Sequence, residues 1–379
     1  MAIVAAAIFV ACWSAALLVV VVDPLDLYPW GGTIKFRQTD YAKGAIPYIL
    51  KAAIEDKAND AFLIGGSTSV GFTRAMLDSS FPDVHHAFNL SYGAPRPLDQ
   101  ALVEKMVAHR VMEHDAPVKR VLLAIDWIHM LTRPAAEQLN TYSQFPFHLY
   151  DNDHTNDVRM VGSTTLALAF EVLRAKPIWR PDWSSTIDQR TDEHSFKTFQ
   201  SPASLRRLSS IVRQYRDDVD MPADRNCGDF FTIADQIVPL AKTLADAKVP
   251  LDIYFPPYSL VYYYEWRASK ARGRLLDKSI LEDQILFRKC LVKATARIPG
   301  VRVFRFDDDA AIVGDLGNYR EAAHVQNEAI YREILQWISK DEHRLTLGNV
   351  DADGSRLRAW VRNYRLYDTA DRTENANKF

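Results

Sequence analysis

The sequence predicts a three-layer α/β/α domain with a mostly parallel sheet of five strands, preceded by a transmembrane helix. Three observations support this fold class: a globular composition, short apolar runs that alternate with longer amphipathic stretches, and an uncharged apolar run at residues 1–22. The 379 residues are 48% hydrophobic and 25% charged, which excludes disordered, collagen-like and multi-span membrane proteins. The length allows one enlarged domain or two ordinary ones.

Residues 1–22 would extend ~33 Å as a helix, which is enough to cross a bilayer. A cleaved signal peptide has a basic start, an apolar run of about 7 to 15 residues and a small-residue cleavage site. Here the apolar run is longer, and it ends at Asp23 and Pro24. The sequence therefore favours an uncleaved anchor at residues 1–22 over a signal peptide.

Five short runs rich in Val, Ile, Leu and Phe have the length and composition of β-strands. They lie at residues 61–64, 84–90, 121–126, 251–255 and 301–306. Helical periodicity is found at residues 98–112, 232–247, 280–298 and 321–338. Because strands that alternate with helices form βαβ units, the sheet is predicted to be mostly parallel.

The α/β domain is predicted to occupy residues 23–340. An insertion at about residues 131–231 interrupts the alternation of strands and helices and is expected to lie over the rim of the sheet. Residues 341–379 are predicted to be a C-terminal extension with a disordered polar end.

Charge, cysteine content and motifs limit the classes of partner and cofactor. Lys+Arg number 46 against 48 Asp+Glu, so the overall charge gives no reason to expect a nucleic-acid partner. Cys12, Cys227 and Cys290 are widely spaced and form no CxxC pair, so neither a disulfide framework nor a zinc site is predicted. The sequence has no phosphate loop or dinucleotide fingerprint, and no cofactor is predicted.

The end of the first predicted strand carries the first candidate for chemistry. In an open α/β sheet, ligands bind outside the carboxyl ends of the strands. Gly65 and Gly66 allow a tight turn there, and Ser67 and Ser69 follow at the expected start of a helix. Ser67 is a candidate nucleophile beside free backbone N–H groups. The alternative is that both serines only cap the helix.

The second candidate follows the last predicted strand. Glu321 lies three positions before His324 at the predicted start of a helix, a spacing that puts both side chains on one face. The acid could then orient the imidazole while the other ring nitrogen accepts a proton from a serine. The alternative is an acid that complements the helix dipole beside a surface histidine.

Taken together and in this order, the two candidates resemble the SGNH/GDSL hydrolase superfamily. That superfamily has its nucleophile in a GxS turn near the start and an Asp-x-x-His near the end. The resemblance covers most of residues 23–340 and includes the membrane-anchored, periplasm-facing SGNH-like proteins of bacterial exopolysaccharide loci. The motifs are DP at 23–24, IGGSTSVGF at 64–72, NLSYGA at 89–94, VLLAIDW at 121–127, FPFHLYD at 145–151, IYFPPYS at 253–259 and NYREAAH at 318–324.

The resemblance implies a flavodoxin-like fold of SGNH type and a role for each matching residue. Ser67, the third residue of GxS, would be the nucleophile in preference to Ser69. His324 would be the general base and Glu321 the acid that orients it. The backbone N–H groups of Ser67 and Gly93 would form the oxyanion site.

Asn89 completes the implied site, and two residues depart from the pattern of the superfamily. Asn89 is expected to support the loop of Gly93 and to contribute to substrate binding. Glu321 stands where the superfamily usually has Asp. Asp126 stands where it often has an Asn that donates to the oxyanion. An anionic carboxylate would oppose an oxyanion, so Asp126 is expected to hold loops together.

A cluster of aromatic residues after the fourth predicted strand has two interpretations. Tyr258, Tyr262 and Trp266 could stack on sugar rings and bind substrate. They could equally pack in the core or at its rim.

The function implied by the resemblance is acyl transfer on an extracytoplasmic polysaccharide, as an O-acetyltransferase or acetylesterase with a serine acyl-enzyme. The implied location is the bacterial inner membrane, crossed once by residues 1–22, with the C-terminal domain in the periplasm. A membrane-bound O-acyltransferase is the implied protein partner. The alternatives are a non-catalytic subunit that binds glycan or an acyltransferase, and an anchored domain unconnected with sugars.

Overall fold

The computed structural model describes most of the chain outside the N-terminal linker and the insertion. The described residues are 2–22, 46–93, 95–113, 117–140, 145, 150, 166, 169–170, 201–221, 224–269, 280–307 and 309–366. Most of the predicted insertion at residues 131–231 lies outside them.

The central sheet confirms the predicted α/β class. Its parallel strands are β1 Ala61–Ile64, β2 Ala87–Asn89, β3 Arg120–Ala124, β4 Leu251–Phe255 and β5 Val301–Arg305. Their order is β2-β1-β3-β4-β5, a doubly wound order whose switch point lies between β1 and β3. Every residue of β1 and β4 is buried, as expected for parallel strands covered by helices on both faces.

Three short strands complete the β-structure of the described residues. They are β6 Tyr319–Glu321, β7 His324–Val325 and β8 Arg344–Leu345. Strand β8 pairs antiparallel with β5, so the sheet has a sixth strand beyond the five predicted. A strand of two residues is too short to show a periodicity in the sequence.

Helices account for most of the remaining described residues. They are α1 Ala2–Val22, α2 Ile46–Glu55, α3 Arg74–Ser80, α4 Pro97–Met112, α5 Arg133–Asn140, α6 Pro202–Gln214, α7 Val238–Asp246, α8 Leu260–Ala268, α9 Ile280–Thr295, α10 Ala310–Val313, α11 Glu328–Ser339 and α12 Val350–Asn363. A π-helical turn, Ile233–Ile237, leads directly into α7.

The helix predicted at residues 321–338 starts seven residues later, at Glu328. Asn327 caps it by accepting a hydrogen bond from the Ala329 N–H. The preceding residues form an antiparallel hairpin of β6 and β7 instead, in which Glu321 lies opposite His324. The two side chains therefore meet across a hairpin and not along a helix face.

The segment after residue 340 belongs to the same fold. Strand β8 extends the sheet, and α12 packs against α9. Asp353 of α12 accepts hydrogen bonds from Arg288 of α9 and from Arg305 of β5. Residues 344–363 are thus joined to the core by a buried ion-pair network.

The structure contains a disulfide that the sequence analysis did not predict. Cys227 and Cys290 are bonded, with their Cα atoms 5.5 Å apart. Cys290 is buried on α9, and Cys227 begins a single 3₁₀ turn that packs beside that helix. The spacing of the cysteines suggested no disulfide framework, and it did not reveal this single bond because a separation of 63 residues gives no local pattern.

Helix α1 coincides with the apolar N-terminal run. Its large apolar side chains are mostly exposed, whereas Val19 near its end is buried against the domain. Of the helices in the described part of the chain, none is long and apolar enough to cross a membrane. The anchor at residues 1–22 stays a prediction.

Candidate active site

The turn that carries Ser67 follows strand β1 directly. Ser67 starts a 3₁₀ turn, Ser67–Ser69, rather than the longer helix expected from the sequence. A Cβ at Gly65 would lie 2.9 Å from Ser91 Oγ, and a Cβ at Gly66 would overlap the carboxylate of Asp126. Both glycines are therefore required by close approach of neighbouring loops.

The side chains of Ser67, His324 and Glu321 are joined by two hydrogen bonds, one on each side of the His324 ring. Ser67 Oγ is 2.6 Å from His324 Nε2. His324 Nδ1 hydrogen-bonds Glu321 Oε1 on the other side of the ring. The juxtaposition predicted for these three residues is therefore found, within the distance needed for proton transfer.

Exposure distinguishes the two serines of the turn. Ser67 is partly exposed, and the His324 side chain is 20% exposed. Ser69 is completely buried, and its hydroxyl is 2.7 Å from that of Tyr254 on β4. A substrate could reach Ser67 but not Ser69, so the geometry favours Ser67 among the two.

The hairpin of β6 and β7 is held in place from the loop after β4. The Ser259 N–H and hydroxyl both donate to the Ala322 carbonyl, at 3.1 and 2.7 Å. The Tyr319 hydroxyl donates to the Pro257 carbonyl at 3.1 Å. These bonds attach the start of the hairpin, at Tyr319, and its turn, at Ala322, to the loop after β4.

The electrostatics of the pair keep Glu321 ionised. Burial raises the pKa of Glu321, but the hydrogen bond and the charge of His324 outweigh it, so the pKa lies below the usual value of a glutamate. An ionised Glu321 accepts from Nδ1–H, which leaves Nε2 free to accept a proton from Ser67.

The predicted oxyanion loop lies beside the Ser67 turn. Gly93 is exposed and stands between Ser91 and Pro95, which approach Gly65 and Gly66 respectively. The two flanks of Gly93 therefore both contact the turn that carries the Ser67 N–H.

Asn89 connects the Ser67 turn with the loop that carries Gly93. It is buried, and its amide donates to the Ser69 and Phe72 carbonyls at 2.8 and 2.9 Å. Its Oδ1 accepts from the Ser91 N–H at 2.9 Å. All its polar atoms are engaged with the protein, so the structure favours the supporting role over the predicted contact with substrate.

Asp126 lies directly beneath the turn. Its Oδ1 accepts from the Thr68 hydroxyl at 2.7 Å and from the Tyr258 hydroxyl at 3.0 Å. Burial raises the pKa of Asp126, while the hydrogen bonds from Thr68 and Tyr258 oppose that shift. The expectation that Asp126 connects loops agrees with these contacts.

The aromatic residues predicted to bind sugar are enclosed by protein. Tyr258, Tyr262 and Trp266 are at most 3% exposed. The rings of Tyr258 and Tyr262 stack with centroids 4.3 Å apart, and Trp266 packs against Tyr262. A sugar needs an open ring face, so these contacts support the packing alternative and not the sugar-binding one.

Sequence reasoning missed Thr68, Tyr254 and Tyr331 as parts of the site. The Tyr331 hydroxyl donates to the Val325 carbonyl at 2.9 Å and also lies 3.5 Å from the Thr68 carbonyl. Thr68 stands beside Ser67 in the chain and could have been considered. The two tyrosines come from β4 and α11, and no local pattern connects them with the turn.

Among the described residues, no group of three or more His, Cys, Asp or Glu side chains is placed to hold a metal ion. Comparisons of the chain with protein-family models, with curated proteins and with solved structures give no match. The case for an active site therefore depends on the geometry.

Proposed function

We propose that this protein is a serine-dependent acyl-transfer enzyme of SGNH type. The observation that carries the proposal is the hydrogen-bonded line from Ser67 Oγ through the imidazole of His324 to Glu321. A nucleophile, a base and a group that orients the base are the three roles of a serine triad, which transfers acyl groups through a covalent intermediate.

In the first half-reaction, His324 Nε2 takes the proton of Ser67 Oγ while Oγ attacks the acyl carbonyl carbon. The oxyanion forms beside the Ser67 and Gly93 N–H groups. Collapse of this intermediate breaks the bond to the leaving oxygen, which receives the proton from His324. Glu321 stabilises the imidazolium while it holds the proton.

In the second half-reaction, a hydroxyl group attacks the acyl carbon of the Ser67 ester and gives its proton to His324. Collapse of the resulting intermediate breaks the bond between the acyl carbon and Ser67 Oγ, and Oγ takes the proton back from His324. A water molecule yields hydrolysis, whereas a sugar hydroxyl yields transfer. The resemblance to exopolysaccharide proteins favours a polysaccharide as donor or acceptor and a membrane-bound O-acyltransferase as partner, and we include both in the proposal.

We further propose that the domain faces the periplasm and is held at the inner membrane by residues 1–22. The Cys227–Cys290 disulfide supports an oxidising compartment, because disulfides are rare in reducing cytosol. The exposed apolar side chains of α1, among them Phe9, Trp13 and Leu17, support burial of this helix in a lipid or protein surface.

Covalent labelling with a fluorophosphonate tests the proposed nucleophile. We expect the probe to modify Ser67, as located by peptide mass spectrometry, and p-nitrophenyl acetate to be hydrolysed. Ser67→Ala should abolish both, because the attacking oxygen is removed while little cavity is created.

Ser69→Ala is the matched control for a serine two residues away. It removes one buried hydrogen bond, worth about 1 kcal/mol, but no reacting atom, so labelling of Ser67 should remain. If Ser67→Ala still hydrolyses the ester and acetylates glycan normally, the nucleophile is wrong and the accessory-subunit alternative takes its place.

A further inference from the structure

A buried carboxylate contacts the residues on both sides of the proposed nucleophile. Asp126 is 5% exposed. It receives hydrogen bonds from the Thr68 hydroxyl and from the Gly66 backbone, so its acceptors fix the chain immediately before and after Ser67. Its Oδ2 lies so close to Gly66 that no side chain fits there.

The same carboxylate joins the exits of three adjacent strands. Gly66 and Thr68 follow β1, Asp126 follows β3, and Tyr258 follows β4. The backbone N–H of Asp126 donates to His129 Nδ1 at 3.1 Å, which fixes the loop that presents the carboxylate. Any movement of Asp126 would therefore be transmitted to the orientation of Ser67.

The groups that face Asp126 are mostly neutral. Thr68, Tyr254 and Tyr258 contribute hydroxyls from the turn after β1 and from β4 and its loop, and His324 of β7 interacts with Asp126 through its charge. From the far side of the imidazole, Glu321 contributes the second carboxylate. The Tyr331 hydroxyl of α11 contacts the turn at the Thr68 carbonyl. The positive charge of Arg320 favours the ionised forms of Glu321 and of Tyr331.

We propose that Asp126 is a positioning residue of the acyl-transfer site, an inference that rests on the proposed function. Its hydrogen bonds hold Gly66 and Thr68 so that Ser67 Oγ points at His324. When ionised, its carboxylate also stabilises the imidazolium that His324 becomes when it takes the serine proton. Two carboxylates, Asp126 and Glu321, thus support one imidazole.

This role explains why an acid stands at the place of the expected Asn. An amide there could donate to an oxyanion, whereas an ionised carboxylate can only accept. In this chain the oxyanion would be bound by backbone N–H groups. The side chain of Asp126 would instead orient Ser67 and stabilise the imidazolium of His324.

The test separates charge from scaffolding by measuring the rate of fluorophosphonate labelling of Ser67 between pH 5 and 9. Asp126→Asn removes the charge and puts an amide N–H where one carboxylate oxygen accepted a hydrogen bond. We expect the maximal rate of labelling to fall by about 10²-fold. Loss of the charge makes the imidazolium less stable, so the acidic limb of the profile should move to lower pH by roughly half a unit.

Thr68→Val and Tyr258→Phe keep the carboxylate and each remove one hydrogen bond. We expect both to lower the rate several-fold and to leave the acidic limb in place. Asp246→Asn, an exposed carboxylate at the end of α7 beyond the opposite edge of the sheet, is the control for removal of a charge and should change neither quantity.

An Asp126→Asn variant that labels as fast as the wild type, or faster, would overturn the inference, because the amide would then serve as an oxyanion donor. An unmoved acidic limb would remove the charge role. If Asp126→Asn does not fold, unchanged rates in Thr68→Val and Tyr258→Phe would still refute the scaffolding role. Failure of the wild type itself to label would refute the proposed function instead.

Discussion

Two buried polar networks in this protein are built in opposite ways. In the first, Arg288, Arg305, Asp307 and Asp353 connect α9, β5 and α12, and all four side chains are at most 7% exposed. Each carboxylate contacts at least one guanidinium, so two positive and two negative charges balance. In the second, around Ser67, Asp126 receives neutral hydroxyl donors.

The difference indicates what each network is for. A buried charge without a counterion is costly, and a protein made only for stability would pair it or replace it. The balanced network joins the C-terminal segment to the sheet and needs no other explanation. The unbalanced one keeps a carboxylate close to the imidazole that takes the serine proton, and such an arrangement is typical of functional sites.

The largest expected effect is on catalysis, within the unbalanced network. His324→Ala should lower kcat/KM for p-nitrophenyl acetate by at least about 10⁴-fold, because the base is lost. Glu321→Gln should cost less, since the acid only orients and stabilises the imidazole. His109→Ala, a change to an exposed histidine on α4, should leave the reaction unaffected.

The pH dependence of the Glu321 interaction has a defined sign. The pKa of Glu321 is lowered from 4.5, so its carboxylate stays ionised at neutral pH and is lost only in more acidic solution. If His324→Ala hydrolysed p-nitrophenyl acetate as fast as the wild type from acidic to neutral pH, the contacts among Ser67, His324 and Glu321 would serve the structure and not catalysis.

The balanced network should affect stability and leave chemistry intact. Arg288→Ala leaves Asp307 and Asp353 partly unpaired in the interior, so the free energy of unfolding in urea should fall by about 3 to 5 kcal/mol. Arg358→Ala removes a pair with Glu282 nearer the surface and should cost about 1 kcal/mol or less. Labelling of Ser67 per folded molecule should be normal in both.

A loss of labelling in folded Arg288→Ala protein would contradict the division between the two networks. A loss of stability no greater than that of Arg358→Ala would show that burial does not distinguish the two ion pairs.

The sequence predicted the sheet better than it predicted the site's supports. Strands β1 and β4 match their predicted runs residue for residue, because a strand buried on both faces is almost continuously apolar. Asp252 of β4 is the exception. The run at residues 84–90 gives only Ala87–Asn89, since the chain before it turns where the His85 and His86 N–H groups bind Asp60.

The Glu321 and His324 pair was found for the wrong local reason. An acid three residues before a histidine brings the side chains together both on a helix and across a tight hairpin. The choice between the two depends on Ser259, whose hydroxyl holds the Ala322 carbonyl from 63 residues away. Contacts of this kind, like the disulfide and the Tyr254 to Ser69 bond, leave no periodic signal in the sequence.

Glu104 is a third kind of buried carboxyl group. Among the described residues it contacts neither a guanidinium group, as Asp307 does, nor a hydroxyl donor, as Asp126 does. It lies on α4 and is 2% exposed, and among the described residues neither of its oxygens has a hydrogen-bond partner. Burial raises its pKa to about 8, so the folded protein holds a proton that the unfolded chain releases near its usual value of 4.5. Its charge is therefore absent at neutral pH.

This carboxyl should produce the most gradual effect, a dependence of stability on pH. Below 4.5 the proton is bound in both states, and the carboxyl contributes no slope. Between about 5 and 8 the folded state alone binds it, so the free energy of unfolding should fall by about 1.4 kcal/mol per pH unit as pH rises. Glu104→Gln should remove this slope, measured by urea unfolding at successive pH values. Glu113→Gln, an exposed change at the end of the same helix, should keep it. Identical slopes in the wild type and Glu104→Gln would mean that Glu104 is ionised in the folded protein and has found a donor, as Asp126 has.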